Sequence, residues 1–199
     1  MSHNDDILAM TMHPNGKFVA TGQIGVKPQI CVWDVDTMQE IVMFAAPLTK
    51  GIKNLCFSND GKYLAASAMD DEHFIAIYDW QAKPKVGTSL APVAHGKGSR
   101  AVLFNLTFNP TGDTLISMGV KEVNFHTFAN GVITTKRGTG WGVTATEGPQ
   151  TILSSAFVGT TLFTGSFTGE IASWTGTAKG KGVKAHTGKV SSLYSKPGT

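Results

Sequence analysis

Residues Gln29–Val35 read QICVWDV, in which apolar residues alternate with others and the apolar run closes on a tryptophan followed by an acid. A lone strand of this kind would direct attention to an active site, whereas one copy of a recurring unit would direct it to a binding surface. The same outline returns along the chain as ICVWD (30–34), IAIYD (75–79), VNFHT (123–127) and IASWT (171–175). The closing rings are Trp33, Tyr78, His126 and Trp174, spaced by 45, 48 and 48 residues. A second column is the glycine turn ahead of the preceding strand: Gly16 in HPNGKFVATG, Gly61 in SNDGKYLAAS, Gly112 in NPTGDTLISM and Gly159 in FVGTTLFTGS. These glycines are 45, 51 and 47 residues apart, so two independent columns give one repeat.

Each repeat divides in the same way: an apolar strand (ILAMTM, IKNLCF, VLFNLTF, TILSSAF), a Pro/Asn/Gly turn, a strand of small and apolar residues, a polar turn, the ring-ended strand and a weaker fourth strand. Four strands in roughly 45 residues is the length of one propeller blade. Asn15-Gly16 and Asp60-Gly61 suit a tight reversal because these residue types adopt positive φ at little cost. Helical periodicity is absent, which predicts an all-β chain with almost no helix. The expected blades are 1–47, 48–93, 94–141 and 142–185, with 186–199 as the first strand of a further blade. Trp33, Tyr78 and Trp174 are expected to be largely buried, since each ring removes about 150–250 Å² from water.

The VWD at Val32–Asp34, its echo IYD at Ile77–Asp79 and the HPNGKFVATG turn resemble the WD-repeat propellers. HNDDILAMTMHPNGKFVATGQ, ICVWD, IYDW and AHTGKVSSL together resemble the echinoderm microtubule-associated protein-like family, in the first of its two tandem propellers. The resemblance covers essentially the whole chain and implies a non-catalytic platform that binds tubulin. It assigns Trp33, Asp34, Tyr78, Asp79, His126 and Trp174 to structural blade positions. It also implies that His3, His95 and His186 lie just before first strands and bond to Ser or Trp of their own blades. Three departures stand out. The insertion usual after ATGQ is short, His126 replaces the usual Trp, and the acid after the ring is lost at Thr127 and Thr175.

The composition agrees with a folded β protein: 41% of residues are hydrophobic, 16% are charged, and 23 are glycine. The longest apolar run, Ile41–Ala46, has six residues, far short of the ~20 that cross a bilayer as helix. The opening MSHNDD lacks the basic and apolar regions of a secretory signal. Cys31 and Cys56 sit in strand patterns, where a thiol acts as a small hydrophobe, and no membrane partner is expected. The net charge of +3 is unevenly spread: residues 1–80 hold ten acids and five bases, residues 81–199 four acids and twelve bases. The second half is therefore the one suited to an acidic partner.

No reaction chemistry emerges from the motifs, so catalytic, cofactor and metal residues are all expected to be absent. GKGVKAHTGKV (180–190) encloses five residues between Gly182 and Gly188 and has Val190 after Lys189, unlike a phosphate loop, and reads as a basic turn between blades. GTGWG (138–142) lacks the strand-then-helix setting of a dinucleotide site. The six histidines show no zinc-ligand spacing, and Ser166 in GSFTG is not at the centre of a nucleophile elbow. DDEH (70–73) reads as a solvated hairpin tip, with a cation site as the rival.

The bases form the one constellation with functional promise. Lys179, Lys181, Lys184 and Lys189 fall in an acid-free run, and Lys97, Arg100, Lys136 and Arg137 in turns of the third blade. They are charges that keep turns wet or a face for an acidic protein. Aromatics are not interleaved with them, which disfavours nucleic acid. The reading is a binding platform for tubulin or another acidic cytoskeletal surface, located in cytoplasm and cytoskeleton, with cilium or spindle as candidate sites. A general interaction scaffold without tubulin contact is the rival. Four blades leave end faces that expect a cover, in the form of further blades in another chain or a second copy.

Overall fold

Loops of one design join the first two strands of the first three blades. His13 N donates to Phe18 O, Ser58 N to Tyr63 O and Asn109 N to Thr114 O, at 2.8–2.9 Å. Inside each loop the glycine N–H returns to the first residue's carbonyl (Gly16 to His13, Gly61 to Ser58, Gly112 to Asn109). Gly16, Gly61, Gly112 and Gly159 have φ between 57° and 75°, so the repeating glycine marks a left-handed backbone position. Asn15 Oδ1 and Asp60 Oδ1 accept from the amides two residues on, which closes the turns from the side-chain side.

The computed structural model describes residues 3–45, 47–82, 89–141 and 148–195. These residues form sixteen strands and no helix. The first blade is β1 (Ile7–Met12), β2 (Phe18–Gln23), β3 (Gln29–Asp34) and β4 (Glu40–Ala45); the second is β5 (Ile52–Phe57), β6 (Tyr63–Ala68), β7 (Ile75–Asp79) and β8 (Ala94–Gly96). The third is β9 (Leu103–Phe108), β10 (Thr114–Gly119), β11 (Glu122–Ala129) and β12 (Gly131–Arg137); the fourth is β13 (Ile152–Val158), β14 (Thr161–Ser166), β15 (Glu170–Thr175) and β16 (Ala178–Lys184). Within each blade the strands pair in chain order, and β1, β5 and β13 carry an irregularity at their starts.

The chain forms two compact units, residues 1–100 with 128–133 and residues 101–127 with 134–199. In the first, Ala9, Ala20, Ile52, Leu55, Leu64, Ala66 and Tyr78 belong to one buried cluster. The small residues of ATG and AAS permit this close packing: a Cβ on Gly22 would stand 2.6 Å from Ile52. Gly131 and Val132 of this unit pair in parallel with Ala94 and His95. In the second unit, Ile116, Met118, Val123, Phe125, Ile152, Leu162 and Trp174 form the core, with Trp141 and Phe157 against it.

The structure departs from the sequence expectations at four points. The boundary after residue 93 is one strand early, because Ala94–Gly96 pairs antiparallel with β7 and completes the second blade. His95 is consequently within a fourth strand, opposite Ala76, and its ring stacks at 5.8 Å on Phe74. Gly180 and Gly182 lie inside β16 and not in a turn, because the ladder to β15 orders a stretch that its composition disfavours as strand. Residues 186–195 form no strand; their backbone amides at His186 and Val190 donate to Gly169 and Ser166. Trp33 is only half-buried, whereas Tyr78 and Trp174 are fully enclosed. It shares a row with Val19 and the exposed Met12, at one end of a face whose next row, Thr21 and Cys31, is buried.

Candidate partner-binding surface

The ring column rests on a hydroxyl column that the sequence reading missed. Trp33 Nε1 donates to Thr21 Oγ1 at 2.7 Å, and Trp174 Nε1 to Thr164 Oγ1 at 2.9 Å. His126 stands in the tryptophan position and bonds Ser117 Oγ at 2.8 Å through Nε2, with Thr135 Oγ1 at 2.8 Å on Nδ1. A neutral imidazole has one donor and one acceptor, and two hydroxyls satisfy both, so a histidine replaces indole without an orphaned nitrogen. Burial holds this imidazole's pKa down to about 4. The hydroxyls fall five residues after the turn glycines (Gly16 to Thr21, Gly112 to Ser117, Gly159 to Thr164), a signal present in the sequence. In the second blade that offset brings Ala66, and the Tyr78 ring carries no N–H; its buried hydroxyl has no partner among the described residues.

His3 completes the first column, with Nε2 2.7 Å from Thr21 Oγ1 and Nδ1 2.8 Å from Gln23 Oε1. His186 is exposed beyond β16. Asp34 closes the β3–β4 turn: the Thr37 amide at 2.8 Å and the Thr37 hydroxyl at 2.9 Å hold its carboxyl below the usual range. Asp79 pairs across the ladder with Tyr63.

The basic residues fall in three settings. Lys97 and Arg100, in the first unit, both face Glu72, at 3.8 and 3.3 Å, in an exposed cluster. Lys179 is turned inward: Nζ lies 2.7 Å from Glu170 Oε1, both side chains are mostly buried, and the ammonium stands 5.8 Å from the Trp141 ring centre. Five further bases of the second unit point to solvent. Lys136 and Arg137 lie on β12, Lys181 and Lys184 on β16, and Lys189 follows. Thr139 forms a parallel bridge with Ala178, which brings the end of β12 to the start of β16. Lys184 Nζ donates to Thr168 O and Arg137 Nη2 to Lys121 O; none of these five makes an ion pair among the described residues.

The DDEH tip is a structural knot. Asp70 Oδ1 accepts from the Glu72 and Phe74 amides, Asp71 meets Lys50 at 2.8 Å, Glu72 takes the two bases above, and His73 Nδ1 bonds Ser99 O at 2.9 Å. Among the described residues no cluster of His, Cys, Asp and Glu is placed to hold a metal ion, and no helix is long and apolar enough to cross a membrane. Cys31 and Cys56 are both buried and outside any disulfide, and burial pushes the Cys31 thiol up to about 12.

The profile of the family described as "Echinoderm microtubule-associated protein first beta-propeller" matches residues 1–199. The chain belongs to this family. It is 28% identical over 212 residues to the 77 kDa echinoderm microtubule-associated protein of Lytechinus variegatus, covering 97% of this chain and 30% of that protein. It is 27% identical over 220 residues to echinoderm microtubule-associated protein-like 4 of Homo sapiens, covering 97% of this chain and 21% of that one. The chain thus spans less than a third of the length of these curated relatives. Its fold is similar to the Cps50 (Swd1) beta-propeller domain of Myceliophteria thermophila, with a TM-score of 0.76 at 14% identity, over 96% of this chain and 61% of that one. The all-β propeller expectation is thereby met, and the echinoderm microtubule-associated family read from VWD and HPNGKFVATGQ is the family found.

Proposed function

We propose that the chain is a non-catalytic propeller platform that binds tubulin or another acidic cytoskeletal protein surface, in the cytoplasm and on the cytoskeleton. The observation that carries this reading is the solvent-facing set Lys136, Arg137, Lys181, Lys184 and Lys189 in one unit, with no ion-pair partner among the described residues. The relatives' names supply the class of partner. Short strands fix the positions of these charges, so little ordering entropy is lost on binding, and charge speeds encounter with an acidic surface. The test is microtubule co-sedimentation at rising salt with the wild type and a Lys136→Glu/Lys181→Glu/Lys189→Glu variant. The reading expects pelleting that fades with salt and is lost in the variant. Equal pelleting by both proteins overturns it.

One observation favours a scaffold without tubulin contact. β16 is the outermost strand of its sheet, and lysines on such a strand guard against edge-to-edge pairing. Under that reading the triple variant aggregates more readily while its partners are unchanged.

A further inference from the structure

The second unit carries a feature that the basic strands do not explain. Phe167, at the β14–β15 turn, is 60% exposed, yet its turn is pinned, because Phe167 N donates to Thr151 O at 2.8 Å. The ring divides two depressions that share Thr151 and Phe167. One, of about 550 Å³, has Lys121 and Lys184 on its wall; the other, of about 420 Å³, is lined by Phe104, Leu153 and Lys189. Phe104 is itself 42% exposed. The one acid on either lining, Glu170, is engaged by Lys179.

The rim is held in place before any ligand arrives. Thr168 O takes one of the three Lys184 ammonium protons, and Thr168 Oγ1 donates to Gln150 Oε1 at 3.1 Å. Ser166 Oγ lies 2.9 Å from Thr168 Oγ1 and accepts from Glu170 N at 3.0 Å, which fixes the turn from below. Lys121 sits at φ 58° with its carbonyl receiving Arg137 Nη2. Two ammonium groups therefore line the depression on one side of Phe167, and Lys189 lines the other with two phenyl rings and a leucine.

We propose that this groove binds an acidic peptide segment carrying one apolar side chain, its carboxylates on Lys121, Lys184 and Lys189 and its apolar group between Phe104, Leu153 and Phe167. The charge selects the occupant: three bases and one neutralised acid favour carboxylates, and the rings add an apolar subsite that a bare polyanion cannot fill. The proposal rests on the reading of the chain as a platform for acidic protein surfaces and names where and how one segment is held.

The probe is fluorescein-labelled Glu-Glu-Leu-Glu-Glu, with Glu-Glu-Ser-Glu-Glu as control, followed by fluorescence anisotropy on the 199-residue chain. The leucine peptide should bind about ten-fold tighter or more, from burial of one aliphatic side chain. Phe167→Ser should erase that preference and leave the serine peptide's affinity unchanged; Phe104→Ser repeats the test from the other wall, and thermal melts verify folding. Lys121→Glu with Lys184→Glu should weaken both peptides at least roughly ten-fold. Equal affinity for the two peptides, a preference that survives both phenylalanine changes, or equal displacement by a single-stranded oligonucleotide overturns the groove. The leucine-to-serine ratio is blind to net charge, so it fails or holds independently of microtubule pelleting by the Lys136/Lys181/Lys189 variant.

Discussion

Thr21 Oγ1 lies 2.7 Å from both Trp33 Nε1 and His3 Nε2, so one hydroxyl on the second strand ties the third strand to the segment that enters the blade. Thr21 itself is almost fully buried. Thr21→Val keeps the shape and removes both bonds, and it should lower stability by about 1–3 kcal/mol. Thr21→Ser should lower it by less. Urea denaturation checks both, and a valine variant within about 0.5 kcal/mol of wild type would count against the column.

The second blade makes the opposite prediction. The Tyr78 hydroxyl is buried without a partner among the described residues, and burial raises its pKa well above the ordinary phenol value. Tyr78→Phe removes a desolvated polar group and keeps the ring against Phe44 at 4.6 Å. Stability should stay level or rise by up to about 1 kcal/mol. A clear loss in the same denaturation measurement would show that the hydroxyl is satisfied.

His126 sets a pH dependence. Its folded pKa, near 4, lies below its unfolded value near 6.5, so the unfolded chain binds the proton first as pH falls. Stability should be full above pH ~6.5 and decline down to pH ~4, by on the order of 3 kcal/mol over the window. Asp34, Asp60 and Asp113 have lowered pKa values, and their contributions are lost only at more acid pH, as protonation passes below the normal carboxylate range. His126→Asn should flatten the upper window alone. Thermal melts from pH 7 to 3 separate the two.

Lys179 should behave differently from its neighbours. Its ammonium is enclosed with Glu170 and near Trp141, so Lys179→Ala should destabilise by about 1–3 kcal/mol through the orphaned carboxylate. Lys181→Ala and Lys189→Ala, both exposed, should stay within about 0.5 kcal/mol. Equal effects at the three positions in thermal denaturation would contradict the inward placement.

The contrast between Lys179 and Lys181 shows where sequence ceased to inform. Turn glycines and ring positions were legible because loop closure depends on a few adjacent residues, and the left-handed glycine recurs in all four blades. The hydroxyl column recurs in three blades, yet Ser and Thr are so frequent in this chain that an offset of five did not stand out. The inward turn of Lys179 depends on Glu170, nine residues earlier on the adjoining strand, and no run of like charges reveals such a pairing. Fourth strands were misplaced for a related reason: AHG and AKGKGVK have weak intrinsic preference and become strands only beside β7 and β15. The Phe167 groove draws on β9, β13, β15, β16 and the turns around them, which no linear motif joins.

Gly61 adds an evolutionary consequence. Its carbonyl accepts from Trp80 Nε1 at 2.7 Å and from His13 Nε2 at 3.1 Å, and a Cβ at this position would overlap the His13 ring. Two blades thus share a single backbone atom as acceptor, and neither ring can move without vacating it. Across descendants of this sequence, positions 13, 61 and 80 should drift as a set. A lineage that replaces the histidine loses the bond linking its first two blades, and one that replaces the glycine must first have lost the histidine. The order of substitution is therefore constrained, and the reverse order passes through a chain whose first two blades no longer fit together.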